Sequence, residues 1–176
     1  MSKTYKIIKD FMEPEFFKEL KELLNDQNFN WHHHKKMTDD STGDLGYFTH
    51  SFYNDHKINS NHYHKYILPI LKKLNVSAVI QVRANLTPSV FYKNKKSDWH
   101  VDYNPIWPEY WTTDVSKTAI FYVNNCDGGT ELKINNKIVF VKAEVNKMLI
   151  FDTNILHRGT DSKNADFRYI INFNYF

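Results

Sequence analysis

Apolar residues recur at helical spacing in two N-terminal stretches and then give way to short alternating segments. Phe16, Phe17, Leu20, Leu23 and Leu24 fall on one face of a helix that Pro14 suits, since proline fixes φ and needs no N–H partner in a first turn. A second stripe, Tyr63, Tyr66, Ile67, Ile70, Leu71 and Leu74, follows Ser60 or Asn61 as cap, and Pro69 is expected to bend it. Between them, residues 28–60 are polar, carry a turn signal at Ser41-Thr-Gly43, and read mostly as loop.

After Leu74 the period changes. Ser77 to Leu86, Trp99 to Tyr103, Lys117 to Asn124, Thr130 to Ile134, Lys137 to Val141, Met148 to Phe151 and Arg168 to Phe176 are β-branched or aromatic runs broken by Asn, Asp, Gly and Pro. Asn135-Asn136 suits a two-residue hairpin turn, and Asp127-Gly-Gly129 another tight turn. Helices followed by about eight strands predict a mainly β fold with N-terminal helices, an antiparallel sandwich or jelly roll with the helices packed on one sheet. In the first long strand Ile80, Val82, Ala84 and Leu86 point one way and Gln81, Arg83, Asn85 and Thr87 the other. In the last, Tyr169, Ile171, Phe173 and Tyr175 oppose Arg168, Asn172 and Asn174. These polar faces suit either half-solvated edges or the lining of a cavity between two sheets.

Length, 176 residues, predicts one domain: residues 1–76 as helical support and 77–176 as the jelly-roll core. Apolar content of 41% and charged content of 24% exclude a disordered chain or a coiled coil. Net charge is +3, too mild to argue for nucleic acid, and it is lopsided: twenty lysines against three arginines, Arg83, Arg158 and Arg168. Nineteen asparagines accompany the lysines, as in proteins of AT-rich genomes. The single Cys126 excludes an intrachain disulfide framework, and there is neither a secretory h-region nor an apolar run long enough to cross a bilayer. The expectation is a soluble cytoplasmic protein, in host cytoplasm if the source is viral.

Against this background His100-Val-Asp102 is the central pair. On a strand, residues i and i+2 share a face, so both side chains reach one metal ion. Chance gives about one such pair in a chain of this composition, so the spacing alone is weak. Three features add weight: His157 follows the strand ending at Phe151, Arg168 opens the last strand on its polar face, and the surrounding strands Ala119–Val123 and Arg168–Ile171 have core character. Two histidines and one carboxylate leave three positions open on an octahedral ion, the arrangement of non-haem Fe(II) oxygenases. An arginine nearby offers fork geometry to a dicarboxylate.

With these residues the chain resembles the Fe(II)/2-oxoglutarate dioxygenase superfamily, and within it the prolyl-4-hydroxylase-like branch that includes small phage and bacterial enzymes. The matching segments are His100-Val-Asp102, Ala119 to Asn124, Gly128-Gly-Thr-Glu-Leu132, Phe151-Asp152, His157 and Arg168 to Phe176. The resemblance implies a double-stranded β-helix with Fe(II) on His100, Asp102 and His157. Arg168, Tyr122 and Asn85 would bind 2-oxoglutarate, and Arg83, Tyr103 and Trp107 would meet substrate. Where relatives often carry a second cosubstrate-binding tyrosine this chain has Thr87, with Tyr92 as the available substitute. The reaction implied is hydroxylation of an unactivated C–H bond with O2, on a peptidyl proline or another amino-acid residue, while 2-oxoglutarate leaves as succinate and CO2; ascorbate would be the reductant. Asp102 argues against halogenating relatives, which lack that carboxylate.

Two other readings compete. Nucleic-acid dealkylases of the superfamily usually carry a second arginine six residues after the first, where this chain has Asn174. A non-catalytic jelly-roll binding protein would need no inward arginine after the second histidine. Elsewhere, His32-His-His34 lacks a coordinating partner and reads as a solvated loop, His62 and His64 as surface or cap residues, and Cys126 as a bystander. Tyr103 to Trp111 reads as a rim beside the metal. Arg158 reads equally as a substrate contact or an ion-pair partner.

Overall fold

The computed structural model describes residues 5–35, 46–89, 96–102 and 116–176. In chain order these form β1 (Tyr5–Ile8), α1 (Pro14–Asn25), β2 (His32–His34), β3 (Tyr47–Asn54), β4 (Lys57–Ile58), a π-helical turn (Tyr63–Ile67) running into α2 (Leu68–Leu74), β5 (Val79–Pro88), β6 (Lys117–Tyr122), β7 (Gly129–Ile134), β8 (Lys137–Lys142), β9 (Lys147–Asp152), β10 (His157–Thr160) and β11 (Phe167–Tyr175). The larger sheet runs β1-β9-β6-β11-β5-β3-β2 with β4 hairpinned to β3, and the smaller runs β10-β7-β8. All described pairings are antiparallel. This is the expected jelly roll, a double-stranded β-helix with helices on the outer face of the large sheet.

The large sheet is covered on both sides, which is why β6 reads as an unbroken apolar run. Its Ala119 and Phe121 face the helices, in a cluster with Leu20, Leu24, Ile67 and Ile70. Its Ile120 and Tyr122 face the small sheet, with Leu132, Val141 and Phe151. Phe121 is fully buried, edge-on to Phe11 and Phe17 with centroids 5.9 and 5.8 Å away.

Both helices form where the apolar spacing puts them. Pro14 sits in the first turn of α1. Ser60 does not cap the second helix with its side chain: its Oγ instead accepts the His62 N–H at 3.2 Å, in the turn before it. The bend expected at Pro69 takes the form of the π turn. A proline there cannot donate back to residue 65 and its ring crowds that carbonyl, so the preceding turn widens before α2 resumes. Asn75 ends α2 in the left-handed region, φ 56°, with its N–H on Leu71 and Lys72 carbonyls.

The Asn135-Asn136 hairpin also forms, both residues having positive φ as a type I′ turn requires. Asp127-Gly-Gly129 is a bend leading into β7.

The loop reading of residues 28–60 is corrected. That stretch holds β2, β3 and β4, and β3 pairs with β5 over much of its length. Its polar residues misled because they are satisfied by distant partners. His50 is buried, donates from Nδ1 to the Asn30 carbonyl and meets Ser60 Oγ through Nε2, both at 2.8 Å. The His32–His34 tract is a short exposed edge strand rather than a loop. β1 is likewise unanticipated and extends the large sheet beyond β9. The expected strand Trp99 to Tyr103 reduces, within the described residues, to one bridge at His100.

Phe121→Ala empties a site that neither layer can close, and is expected to cost about 3–5 kcal/mol, read as a lower denaturation midpoint at unchanged denaturant slope.

Candidate metal centre and its cavity

The two histidines meet through their backbones before their side chains. His100 N–H donates to the His157 carbonyl at 3.0 Å, and His157 N–H returns to the His100 carbonyl at 2.9 Å. The segment 96–100 therefore runs antiparallel beside β10 and extends the small sheet. Its two bridges, Lys96 with Thr160 and His100 with His157, differ by one residue of register. That slip sets His100, not Trp99, opposite His157 and points both imidazoles inward. Trp99 falls on the other face, stacked on Arg158 at 4.2 Å.

Each imidazole is fixed in one tautomer. His100 Nδ1 donates to the Asp98 carbonyl at 2.9 Å and His157 Nδ1 to the Ile155 carbonyl at 3.0 Å, which leaves both Nε2 atoms as lone-pair donors. Asp102 Oδ1 lies 3.7 Å from His100 Nε2 and 3.3 Å from His157 Nε2. One potential ligand atom from each residue lies within 4.8 Å of the others.

The other carboxylate oxygen is held by two amides: Asn172 Nδ2 donates to Asp102 Oδ2 at 2.8 Å and Asn174 Nδ2 at 3.0 Å. Asn174 also donates to Thr118 Oγ1 at 3.1 Å. Burial pushes the Asp102 acid up, but His157 and these amides outweigh it and hold it well below the ordinary carboxylate range. Burial lowers His100, with His157 and Arg83 adding to the effect. For His157 burial acts the same way, yet contact with Asp102 leaves its pKa raised.

A cavity of about 250 Å³ opens from this cluster between the sheets, lined in part by Arg83, Asn85, Thr87, Thr130, Gly159 and Arg168. The polar faces of β5 and β11 are thus cavity lining, not solvated edges. Arg168 is 5% exposed, donates Nη1 to the Gly129 carbonyl at 3.2 Å, and leaves its buried Nε without a partner. Gly159 permits that placement, since a Cβ there would lie 2.5 Å from Arg168 Nη2. Arg83 Nε, Asn85 Oδ1 and Asn172 Oδ1 are also buried without partners among the described residues. Unpaired buried polar atoms are costly, so a cavity walled by four of them suits polar contents, a ligand or ordered water.

Of the residues expected at the site, His100, Asp102, His157, Arg168, Asn85, Arg83 and Thr87 are brought together. Tyr122 is fully buried beside them: its hydroxyl donates to Thr130 Oγ1 at 2.8 Å, and burial pushes its pKa up to about 12. Tyr92, Tyr103 and Trp107, with the rim segment from Tyr103 to Trp111, lie outside the described residues. Arg158 resolves as an ion-pair residue, its Nε 2.8 Å from Glu131 Oε2. Cys126 is a buried thiol whose pKa burial raises, in keeping with a bystander. Sequence reasoning placed Asn172 and Asn174 on the correct face and gave them no task, because their partner is 70 residues away.

Two histidines and a carboxylate around one point are the donor set found in mononuclear non-haem iron oxygenases. The donor set is of the right hardness for Fe(II), and each of the three side chains is hydrogen-bonded from behind, the imidazoles by backbone carbonyls and the carboxylate by two amides. The chain belongs to the 2OG-Fe(II) oxygenase superfamily, whose model matches residues 88–176. No curated protein matches it in sequence. Among solved structures it is similar to a Trichoplax adhaerens prolyl hydroxylase in complex with a hypoxia-inducible-factor peptide, at 19% identity and TM-score 0.70 over 98% of this chain and 83% of that one. A Pseudomonas putida prolyl-4-hydroxylase shares 9% identity at TM-score 0.61, over 98% and 92% of the two chains. The epimerase SnoN of nogalamycin biosynthesis shares 11% at TM-score 0.67, over 98% and 77%. These likenesses are of fold, and prolyl hydroxylases among them agree with the branch expected above. No helix among the described residues is long and apolar enough to cross a membrane.

Outside the small sheet, Glu131 clamps the ligand-bearing segment, with Lys96 Nζ at 2.6 Å and Arg158 Nε at 2.8 Å. Burial raises the Glu131 acid, but the two cations prevail and its folded pKa is depressed. The clamp's contribution is therefore complete above the ordinary glutamate value and is lost as pH falls through the lower folded value. Glu131→Gln is expected to flatten the acid limb of a Tm-against-pH curve while leaving its shape above pH 7 unchanged.

Proposed function

We propose that this chain is a single-domain Fe(II)- and 2-oxoglutarate-dependent hydroxylase acting on an unactivated C–H bond of a peptidyl proline or another amino-acid residue. The observation that supports it is one cavity holding both a two-histidine, one-carboxylate donor set and a buried arginine with a free N–H. His100, Asp102 and His157 would hold the metal. Iron bound there would couple O2 to oxidation of 2-oxoglutarate, giving succinate, CO2 and one oxygen atom in the substrate C–H bond.

The chain's own groups bind and orient. Arg168 would take the distal carboxylate of 2-oxoglutarate as a charge-assisted pair, and Asn85 and the Tyr122–Thr130 hydroxyl pair would line the cosubstrate. Asn172 and Asn174 would keep the Asp102 carboxylate turned so that one oxygen faces the metal. The apolar layer of Ile120 and Ile170 would keep bulk water from the reacting centre. Tyr103 and Trp107 stay assigned to the substrate rim, ascorbate to restoring Fe(II), and the cytoplasm as the place of action. The arginine count of the last strand, Arg168 alone with Asn174 six residues on, favours this reading over a nucleic-acid dealkylase.

With Fe(II) and 2-oxoglutarate, the protein is expected to consume O2 and form succinate, and His100→Ala or Asp102→Ala to abolish both. Absence of succinate and of 2-oxoglutarate binding in the unsubstituted protein would overturn the reading. Arg168→Ala is expected to weaken 2-oxoglutarate binding by about 10–100-fold, the worth of a buried charged hydrogen bond. Gly159→Ala is expected to weaken it too, by displacing the guanidinium, with little change in Tm because that side-chain end can move.

A further inference from the structure

Arg168 is not the only cation on the cavity wall. Arg83 stands on β5 opposite Asn172 of β11, four residues along the strand from Thr87, which faces Arg168. Four residues of strand separate their backbones by about 13 Å. Arg168 turns toward the small sheet, onto the Gly129 carbonyl. Arg83 lies on the other side, where its charge reaches His34 of β2, whose pKa burial and then Arg83 lower.

Among the described residues no carboxylate pairs with Arg83, and its Nε is buried without an acceptor. Its neighbours across the sheet are Ser51 and Asn172, which carry no charge. Asp102 is the one carboxylate among the described cavity-lining residues, with Oδ2 held by Asn172 and Asn174 and Oδ1 facing the two imidazoles.

Among the described residues that line the cavity, two guanidinium groups stand against one carboxylate. A divalent metal and the two negative charges of 2-oxoglutarate would leave one positive charge over within that set, at Arg83. Arg83 is half-buried with its Nε fully buried, and a partly desolvated cation gains from a counter-charge, which the last component to enter would supply.

We propose that Arg83 is the specificity-determining residue for the prime substrate, which presents a carboxylate to its guanidinium while the C–H bond to be hydroxylated faces the metal. This rests on the dioxygenase reading above and names its substrate class: an amino-acid unit bearing a free carboxylate, either a terminal one or an acidic side chain. A second cavity of about 650 Å³ also reaches Gln81 and Asp102 and extends to Tyr53, Asn54 and Phe176, giving a longer substrate a way in.

The test uses the full chain loaded with Mn(II), which suits the same ligands, and saturated with 2-oxoglutarate. The readout is Mn(II)-induced relaxation of probe protons, not turnover. One probe pair is N-acetyl-L-proline and its neutral amide; the other is N-acetyl-aspartyl-proline amide and its asparaginyl counterpart. In at least one pair the carboxylate member is expected to bind roughly tenfold tighter, and which pair responds identifies the source of the carboxylate. Arg83→Gln is expected to erase the preference with 2-oxoglutarate affinity unchanged, and Arg83→Lys to retain part of it, which separates lost charge from lost fold. Equal relaxation in both pairs, including none at all, overturns the proposal, as does a preference that survives Arg83→Gln. A fall in 2-oxoglutarate affinity in Arg83→Gln as large as in Arg168→Gln overturns it by giving Arg83 to the cosubstrate. Failure of the unsubstituted protein to bind 2-oxoglutarate with Mn(II) overturns the dioxygenase reading as well.

Discussion

Strand β11 is hydrogen-bonded along both edges, to β5 and to β6, and its two faces look onto different media. Ile171 and Phe173 sink into the helix-covered core, fully buried, while Arg168, Asn172 and Asn174 project into the space between the sheets. Because side chains alternate strictly, the burial that fixes the register of β11 also fixes where its polar groups stand. A slip of one residue would send the apolar set into the cavity and the arginine into the core. The site is thus held in place by the hydrophobic free energy of the opposite face.

The small sheet supplies the other half under a looser constraint. The segment carrying His100 and Asp102 is paired with β10 at only two bridges, and the register slip between them turns His100 inward. Glu131, Lys96, Arg158 and Trp99 fasten that segment from outside, where no ligand has to pass. Candidate ligands His100 and His157, on paired backbone with tautomers set by carbonyls, would need little reorganisation to receive an ion. The cavity beyond them keeps its unpaired polar atoms because the surrounding core is well packed and does not collapse onto them.

The three arginines separate by environment. Arg158 has a carboxylate and an aromatic face outside the sheet and is structural. Arg168 and Arg83 stand inside with N–H groups unspent, and the dioxygenase reading gives them different anions. Twenty lysines carry the rest of the positive charge, on long stems that suit a solvated surface.

Periodicity made the helices, the principal strands of the second half and the polar faces of β5 and β11 legible, because each depends on which side of one element is buried. The grouping of His100, Asp102, His157 and Arg168 was legible for a related reason: few residue types suit a metal or a dicarboxylate, and their order along the chain singled these out, and the fold brings them to one cavity. What lay beyond the sequence was every feature set by pairing between distant segments. β3 looked like loop because Thr49 and His50 are polar, and only partners at Asn30, His34 and Ser60 make their burial affordable. Asn172 and Asn174 became holders of Asp102, Gly159 became space for Arg168, and Arg83 became a cation with no carboxylate beside it among the described residues only once the two sheets closed. Residue type and spacing determine which groups are available to react; the register between strands far apart in sequence decides which of them meet.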